Sequence, residues 1–323
     1  MNFENRTNKL RQLLEKNKIP AALITDTDDI IYYTGYRPSS NAFLLVDKTS
    51  SKLLLSPLDN EAKSLDVDIT FLSKKQGMKK LFSKKTFGYD EHSLLARTYL
   101  NLTKMKAKLK LASDIIKEPR NIKDSEEIEL IKTAIQITKK SHKSLDIWGR
   151  TEDQVAKQVD AYFKKNQADI AFDTIISAGS NGYFIHHIPN EKIIQKHELV
   201  IVDAGARYKY YCADITRTFY SKTNQKQKKV LEDVENIQKQ IIDFIKPGIK
   251  FDEIQKLYSS LMKKNKYQVK HLFGHGIGIS VHESIKGEIE KNMVLTVEPG
   301  VYLKDMGCRI EDIILVKNRA KIL

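Results

Sequence analysis

The sequence predicts an α+β protein in which helices pack on a mainly antiparallel sheet, preceded by a smaller α/β unit. Three observations lead to this fold class. In the last third of the chain, apolar β-rich runs come in pairs that are joined by short turns. Polar capping signals open helical patterns downstream of residue 120. Upstream of residue 117, one helical pattern is followed by several short apolar runs of strand length.

The first 117 residues have the pattern of a small α/β domain. Residues 6–18 have helical apolar spacing at Leu10, Leu13 and Leu14. Short apolar runs then predict successive strands at 21–24, 30–33, 42–46 and 52–55. A boundary is predicted near Lys117, because Pro119 restricts the residue before it and the neighbouring residues are polar. The chain is therefore divided into residues 1–117 and 118–323.

Capping signals predict the helices of the second part. Asp124 and Glu127 have the spacing of a capping box, and Thr151 and Gln154 repeat it. Pro247 ends a third helical pattern. The predicted helices span about 124–148, 151–165, 224–245 and 251–266. Between them lie two predicted hairpins, formed by residues 200–205 with 210–218 and by residues 294–302 with 309–316.

Candidate metal ligands accompany these hairpins: Asp203, Asp214, His275, Glu298 and Glu311. The first two lie on one hairpin and the last two on the other. His275 lies in the glycine-rich stretch 274–278, where missing side chains let the backbone approach an ion or ligand closely. Two hairpins and one loop can therefore bring the whole set to one point.

The charge of this set predicts bound metal. Carboxylates crowded around one imidazole repel one another, and without cations they persist only by taking up protons. Two divalent ions would cancel that charge and hold a hydroxide as a nucleophile at neutral pH, so hydrolysis is the expected reaction. Oxygen donors with one imidazole favour Mn(II) and leave Co(II), Zn(II) and Fe(II) open.

Six short motifs in order resemble those of the pita-bread metallopeptidases, which include Xaa-Pro aminopeptidases, Xaa-Pro dipeptidases and, more distantly, methionine aminopeptidases. The motifs are Asp-Ala-Gly at 203–205, Asp-Ile-Thr-Arg-Thr at 214–218, Gly-His-Gly-Ile-Gly at 274–278, Val-His-Glu at 281–283, Thr-Val-Glu-Pro-Gly at 296–300 and Arg-Ile-Glu-Asp at 309–312. Each motif alone is weak, but six in order are specific. The segment 172–189 also matches, and the resemblance covers nearly the whole chain.

The resemblance implies a pita-bread catalytic domain with a curved sheet over residues 118–323 and a creatinase-like N-terminal domain over residues 1–117. Residues 29–36 resemble the signature segment of that N-terminal domain, which methionine aminopeptidases lack. Removal of N-terminal methionine is therefore disfavoured. Relatives with this N-terminal domain often pair through it, so a homodimer is expected.

The resemblance also implies roles for the site residues. The ligand set would hold two ions, with Asp214 and Glu311 bridging them and Glu298 also handling the proton of the attacking water. His186 and His282 match positions that contact the substrate and the developing tetrahedral intermediate. His187 is treated as the neighbour of His186.

Positions beside the ligands are expected to support them. By the two-residue period of a strand, Thr216 shares a face with Asp214, and Arg309 shares a face with Glu311. Each is expected to hydrogen-bond that carboxylate. His271 is expected to be a supporting residue, because the glycines near it argue against a helical zinc pair with His275.

The main functional expectation is an aminopeptidase that cleaves the bond between an N-terminal residue and proline, by attack of a metal-bridging hydroxide. One alternative is a prolidase restricted to Xaa-Pro dipeptides. Lys286 matches in register an arginine of many prolidases and is a substrate-binding candidate. Because lysine is a point charge rather than a bidentate fork, it would hold a dipeptide carboxylate less firmly, which favours the aminopeptidase. The other alternative is a non-catalytic pita-bread protein that binds partners through a basic surface.

Composition favours a soluble cytoplasmic protein. The apolar runs are too short to span a membrane, and the start of the chain lacks the order of a secretory signal. Two cysteines, Cys212 and Cys308, cannot make a disulfide framework. Lys and Arg total 55 against 41 acidic residues, a net charge of +14. Lysines alternate with apolar residues over 104–111, which favours a lysine-guarded edge strand, or a proteome that is rich in lysine, over a nucleic-acid surface.

Overall fold

The structure, a computed structural model, describes residues 1–59, 62, 67–71 and 75–323, apart from the side chains of residues 75–78. These residues form two compact units, Met1–Arg120 and Asn121–Leu323. Each unit has a hydrophobic core of its own. None of the helices within the described ranges is long and apolar enough to cross a membrane.

The N-terminal unit contains a mixed six-stranded sheet with the strand order β4-β3-β2-β1-β5-β6. The strands are β1 (Ala21–Ile24), β2 (Phe43–Asp47), β3 (Ser51–Leu55), β4 (Asp68–Phe71), β5 (Thr86–Tyr89) and β6 (Lys108–Leu111). The helices are α1 (Phe3–Lys16), α2 (Thr27–Thr34), α3 (Lys75–Phe82), α4 (Ala96–Lys104) and α5 (Ser113–Lys117), with 3-10 turns at Pro57–Asp59 and Glu118–Arg120. β1, β5 and β6 run parallel. Only the second half of the lysine-rich alternation forms a strand, β6 at the edge of the sheet, whereas Lys104 ends α4.

The predicted strand over residues 30–33 is wrong, because this run belongs to α2. The Asp26 side chain caps the helix by accepting a hydrogen bond from the backbone N–H of Asp29, and Gly35 ends it with a left-handed φ of 71°. The four residues of the run are all buried. A run without a polar face hides the helical period, so a short buried helix and a buried strand look alike in sequence.

The C-terminal unit begins with helices whose capping boxes are those that the sequence predicts. Asp124 with Glu127 and Thr151 with Gln154 each form both reciprocal hydrogen bonds. The helices are α6 (Ser125–Lys143), α7 (Glu152–Lys165), α8 (Gln225–Phe244) and α9 (Phe251–Lys264), with a 3-10 turn at Gly179–Tyr183. α6 ends before the predicted Trp148, because the Ser144 N–H bonds back to the Ser141 carbonyl and closes the last turn.

Antiparallel strand pairs make up the sheets of this unit. The strands are β7 (Asp169–Ile170), β8 (Ile175–Ala178), β9 (Val200–Ala204), β10 (Ala206–Tyr208), β11 (Tyr211–Cys212), β12 (Ile215–Phe219), β13 (Val294–Val297), β14 (Gly300–Leu303), β15 (Met306–Arg309), β16 (Asp312–Val316) and β17 (Ala320–Ile322). Helices α8 and α9 pack on β13 to β16 through a core that includes Val234, Phe273 and Leu295. The second half of the chain thus has the predicted arrangement of helices on an antiparallel sheet.

Candidate metal centre

Breaks in the two hairpins coincide with three of the four acidic residues. Asp203 lies on β9, and Asp214 lies in the gap between β11 and β12. In the other hairpin, β13 pairs with β16 and β14 pairs with β15, which leaves Glu298 and Glu311 in facing gaps. A residue in such a gap is released from the strict alternation of a strand. Each hairpin can therefore turn two carboxylates toward one place.

Two glycines allow the backbone to approach closely around this place. A Cβ at Gly205 would lie 2.0 Å from the Ala213 carbonyl oxygen, and a Cβ at Gly274 would lie 2.0 Å from the Thr296 carbonyl oxygen. The His275 N–H bonds the Thr296 hydroxyl at 3.0 Å, and the Thr296 N–H bonds the His275 carbonyl at 2.8 Å. These contacts dock the glycine-rich loop beside β13, so His275 reaches the carboxylates.

The ligand set lines a single cavity of about 640 Å³. His275 Nε2 lies 3.6 Å from Asp214 Oδ2 and 3.5 Å from Glu298 Oε1. Asp214, His275 and Glu311 each offer a ligand atom within 4.8 Å of the other two. The spacing of these atoms is suitable for coordinating one ion, with Asp203 and Glu298 on the walls of the same cavity.

The carboxylates of this cavity are energetically unfavourable as free anions. Burial raises the pKa of Asp214 and of Glu298 well above the usual range, and the neighbouring Glu311 raises both further. Burial, with Asp203 nearby, raises the pKa of Glu311 to about 7. Among the described residues, Asp203 Oδ1 and Glu311 Oε1 are buried without a hydrogen-bond partner. Unpaired buried carboxylate oxygens are costly, and a cation would satisfy them.

His275 is held in the form that binds metal. Its Nδ1 lies 3.0 Å from the Gly276 carbonyl oxygen, so Nδ1 carries the hydrogen and the Nε2 lone pair faces Asp214 and Glu298. Burial lowers the pKa of His275 to about 4, which keeps the imidazole neutral at pH 7. Four oxygen donors and one neutral imidazole nitrogen fit a divalent-metal centre.

Thr216 and Arg309 both hold carboxylates of the cluster, but the predicted pairings are wrong. The Thr216 hydroxyl donates to Glu311 Oε2 at 2.8 Å, and Arg309 Nη2 donates to Asp203 Oδ2 at 2.5 Å. Arg309 Nε also donates to the Thr216 hydroxyl at 3.1 Å. The two-residue period fails because a strand break separates Thr216 from Asp214 and another separates Arg309 from Glu311.

The other histidines of this region all line the cavity, and two of them are also bonded to neighbouring side chains. His186 and His282 both line the cavity, and the ring of His282 lies 4.2 Å from that of His275, centroid to centroid. His187 lies beside them, but its Nε2 is 2.7 Å from Glu152 Oε2. His271 Nε2 is 2.8 Å from the Tyr302 hydroxyl, which agrees with a supporting role.

Lys286 lies away from the cavity wall. It is exposed and is not among the residues that line this cavity. The backbone just after it pairs with the start of α9. The Phe251 N–H donates to the Gly287 carbonyl, and Lys250 and Glu288 form an isolated antiparallel β-bridge through their backbones.

Sequence reasoning missed Tyr302 and Glu152. Tyr302 accepts a hydrogen bond from Arg309 Nη1 at 2.8 Å and thereby links Arg309 to His271. In sequence it is one more apolar residue of a strand, so no local signal marks it. Glu152 is recognisable only as a first-turn acid of a capped helix, although its side chain reaches the histidine segment.

A buried acidic cluster with one neutral imidazole, carried on facing hairpins and lining a cavity, defines a metal-dependent hydrolase of the pita-bread class. The chain matches the model of metallopeptidase family M24 over residues 129–318 and that of the creatinase/prolidase N-terminal domain over residues 6–122. The chain therefore belongs to metallopeptidase family M24 and has the pita-bread fold.

Relatives of known sequence and structure are similar over their whole lengths. The Xaa-Pro dipeptidase of Pyrococcus horikoshii is 32% identical over 99% of this chain and 97% of that protein. The Xaa-Pro dipeptidase of Pyrococcus furiosus is 31% identical over 99% of this chain and 98% of that protein. The crystal structure of the prolidase from Pyrococcus horikoshii OT3 superposes with a TM-score of 0.93, at 32% identity, over 98% of this chain and 97% of that one.

Proposed function

We propose that this metallopeptidase hydrolyses Xaa-Pro dipeptides. The observation that carries the proposal is the pair of unpartnered buried oxygens, Asp203 Oδ1 and Glu311 Oε1, in a cavity shared with His275. The named function of the Pyrococcus relatives supports the dipeptidase alternative over the aminopeptidase that the sequence alone favours. The enzyme class rests on membership of family M24.

We propose that the ligand set holds two divalent ions, with Mn(II) preferred because the donors are mostly carboxylate oxygens. Asp214 and Glu311 would bridge the ions, and Asp203, His275 and Glu298 would complete the coordination. When bound, such a pair supplies a Lewis acid and an activated water at neutral pH. The raised pKa values of Glu298 and Glu311 support this assignment, since burial and then the neighbouring carboxylates raise them, and cations would offset both effects.

The remaining chemistry falls to side chains around the cavity. A bond that precedes proline has no N–H on the proline side, so the substrate must be recognised without that donor. We propose that Glu298 takes the proton of the attacking water, and that His282 or Glu298 returns a proton to the proline nitrogen as it leaves. We also propose that His186, which lines the cavity, donates a hydrogen bond to the developing oxyanion.

An aminopeptidase acting on longer Xaa-Pro peptides is the second candidate, and the exposed position of Lys286 favours it. A dipeptidase needs a group that binds the terminal carboxylate, whereas an aminopeptidase must leave that end of the substrate free. The non-catalytic alternative is disfavoured, because every predicted ligand position carries a residue that can bind metal.

We also propose that the chain divides into a creatinase-like domain at residues 1–117 and a catalytic domain at residues 118–323. We further propose that the protein is a homodimer and that it is located in the cytoplasm.

The test compares an Xaa-Pro dipeptide with a tripeptide that has the same first two residues, together with the metal content of the purified protein. We expect metal-dependent hydrolysis that prefers the dipeptide and returns when Mn(II) is added after chelation. Preference for the tripeptide would replace the dipeptidase with the aminopeptidase. Hydrolysis that survives complete metal removal, or bound metal without hydrolysis, would overturn the proposal.

A further inference from the structure

Glu152 is a fully buried carboxylate at the start of α7, with 0% of its surface exposed. Its Oε1 accepts hydrogen bonds from the Ala178 N–H at 2.7 Å and from Asn181 Nδ2 at 3.0 Å. Its Oε2 accepts from His187 Nε2 at 2.7 Å, from Asn181 Nδ2 at 3.0 Å and from the Asn190 N–H at 3.4 Å. One buried side chain therefore joins both ends and the middle of the segment 178–190.

The backbone of Glu152 and Asp153 secures the far end of this segment and the residues just after it. The Glu152 N–H bonds the Lys192 carbonyl at 3.1 Å, and the Asp153 N–H bonds the Asn190 carbonyl at 3.1 Å. Apolar burial contributes little beyond the 3-10 turn, because Phe184 is 59% exposed and Ile188 is 82% exposed. The conformation of residues 184–190 is therefore held mainly by polar contacts. The largest group of these contacts is made with Glu152.

His186 has no such support of its own. It is exposed and lines the cavity, and its ring makes no hydrogen bond with the residues that the structure describes. Its neighbour His187 is only 11% exposed and is bonded to Glu152. The position of His186 is therefore set by the backbone of its segment, and that backbone is held through His187.

We propose that Glu152 is a positioning residue for the peptidase reaction, which acts through His187 to place His186 over the substrate. The inference rests on the proposed function, because His186 matters only if the cavity binds a peptide. An error of about 1 Å in the position of a catalytic group lowers the rate by about 100-fold. Glu152 would thus control activity without touching substrate or metal.

The test is a double-mutant cycle on kcat/KM between Glu152→Gln and His186→Ala. Glutamine keeps the shape of the side chain, but its amide N–H would face the N–H groups that now donate to the Glu152 carboxylate. We expect Glu152→Gln alone to lower kcat/KM by about 10- to 100-fold, and by less than about 2-fold when His186 is already alanine. His187→Ala, which leaves Glu152 in place, should also lower kcat/KM by more than about 5-fold and be equally non-additive with His186→Ala.

Glu191→Gln is the matched control, because Glu191 is exposed directly after the segment 178–190 and the substitution removes the same charge. It should leave kcat/KM unchanged in both backgrounds, that of the parent protein and that of His186→Ala.

Additive losses of kcat/KM in the cycle would show that Glu152 is a purely structural residue and would overturn the inference. Metal content equal to the parent protein is expected in each variant, and loss of metal from Glu152→Gln would also overturn it. If the parent protein binds metal but does not cleave Xaa-Pro peptides, the proposed function fails first, and that result is distinct from additivity.

Discussion

Arg309 Nη2 lies 2.5 Å from Asp203 Oδ2, and the two side chains are only 3% and 9% exposed. The same guanidinium donates through Nη1 to Tyr302 and through Nε to Thr216. Three donors in a fixed fork thus engage three different partners. The contact leaves the other Asp203 oxygen, Oδ1, unpaired and available to a cation. Arg309 therefore orients Asp203 in addition to balancing its charge.

Arg309→Lys should lower metal affinity by about 10- to 100-fold, because an ammonium cannot reproduce three divergent planar hydrogen bonds. Metal binding is measured by titration against a competing chelator. Arg150→Lys is the control, since Arg150 forms an exposed pair with Asp146 on the protein surface. Unchanged affinity in Arg309→Lys would show that only the positive charge matters.

Removal of metal should make the protein less stable as pH rises from about 4.5 to about 7. The folded metal-free protein holds a proton on Glu311, whose pKa is raised from 4.5 to about 7. A raised carboxyl pKa gives stability that is full below the unfolded value of 4.5 and is lost as pH rises through about 7. We therefore expect the Tm difference between metal-loaded and metal-free protein to be larger at about pH 8 than at about pH 5.5.

Proton release provides the matching measurement. Cations displace the protons that the buried carboxylates share, so metal added to metal-free protein in weak buffer near pH 6 should acidify the solution. Glu311→Gln should reduce this release. An equal Tm difference at both pH values, with no acidification, would mean that the carboxylates are already ionised without metal.

His142 should make the protein less stable in mild acid. Burial lowers its pKa from 6.5 to about 4, with Arg217 adding to the shift and Asp203 opposing it. Because the unfolded chain takes up the proton first, stability falls as pH drops from about 6.5 toward 4. The expected loss is about 2 kcal/mol between pH 7.5 and pH 5.

Urea unfolding of His142→Leu and the parent protein at these two pH values checks this expectation. The variant should show a smaller loss of stability on acidification. His92→Gln is the control, because the His92 side chain is 75% exposed. A loss that is the same in His142→Leu and the parent protein would assign the acid sensitivity to other groups.

Much of the fold was predictable because its signals are local. The capping boxes at Asp124 and Thr151 place two helices within one residue of their observed starts. The α2 helix was missed because its buried run shows no polar face, and only Asp26 and Gly35 mark its ends. Capping residues were thus more informative than apolar runs wherever an element is buried on all sides.

The composition of the site was more predictable than its hydrogen bonds. Charge crowding alone indicates that Asp203 and Glu311 need cations. The pairing of Arg309 with Asp203 joins residues 106 positions apart across two sheets. Neither strand period nor spacing encodes such a contact, because the breaks in the hairpins reset which way each side chain points.

Thr216 offers the last test, because its hydroxyl serves two buried partners at once. It donates to Glu311 Oε2 at 2.8 Å and accepts from Arg309 Nε at 3.1 Å, with 0% of the residue exposed. Thr216→Val keeps the shape but leaves a buried acceptor and a buried donor unpaired, which costs about 1–3 kcal/mol. We expect lower stability in urea and a loss of metal affinity of about 10-fold.

Thr216→Ser separates the hydroxyl from the methyl group. Serine keeps the hydroxyl as donor and acceptor and removes one buried methyl group. The variant should therefore retain metal affinity within about 3-fold, and its free energy of unfolding should fall by only about 1 kcal/mol. If valine binds metal as tightly as threonine does, Glu311 is oriented by its metal rather than by Thr216. If serine loses affinity as much as valine does, the hydrogen bond alone does not set the position of Glu311, and the methyl group of Thr216 is needed as well.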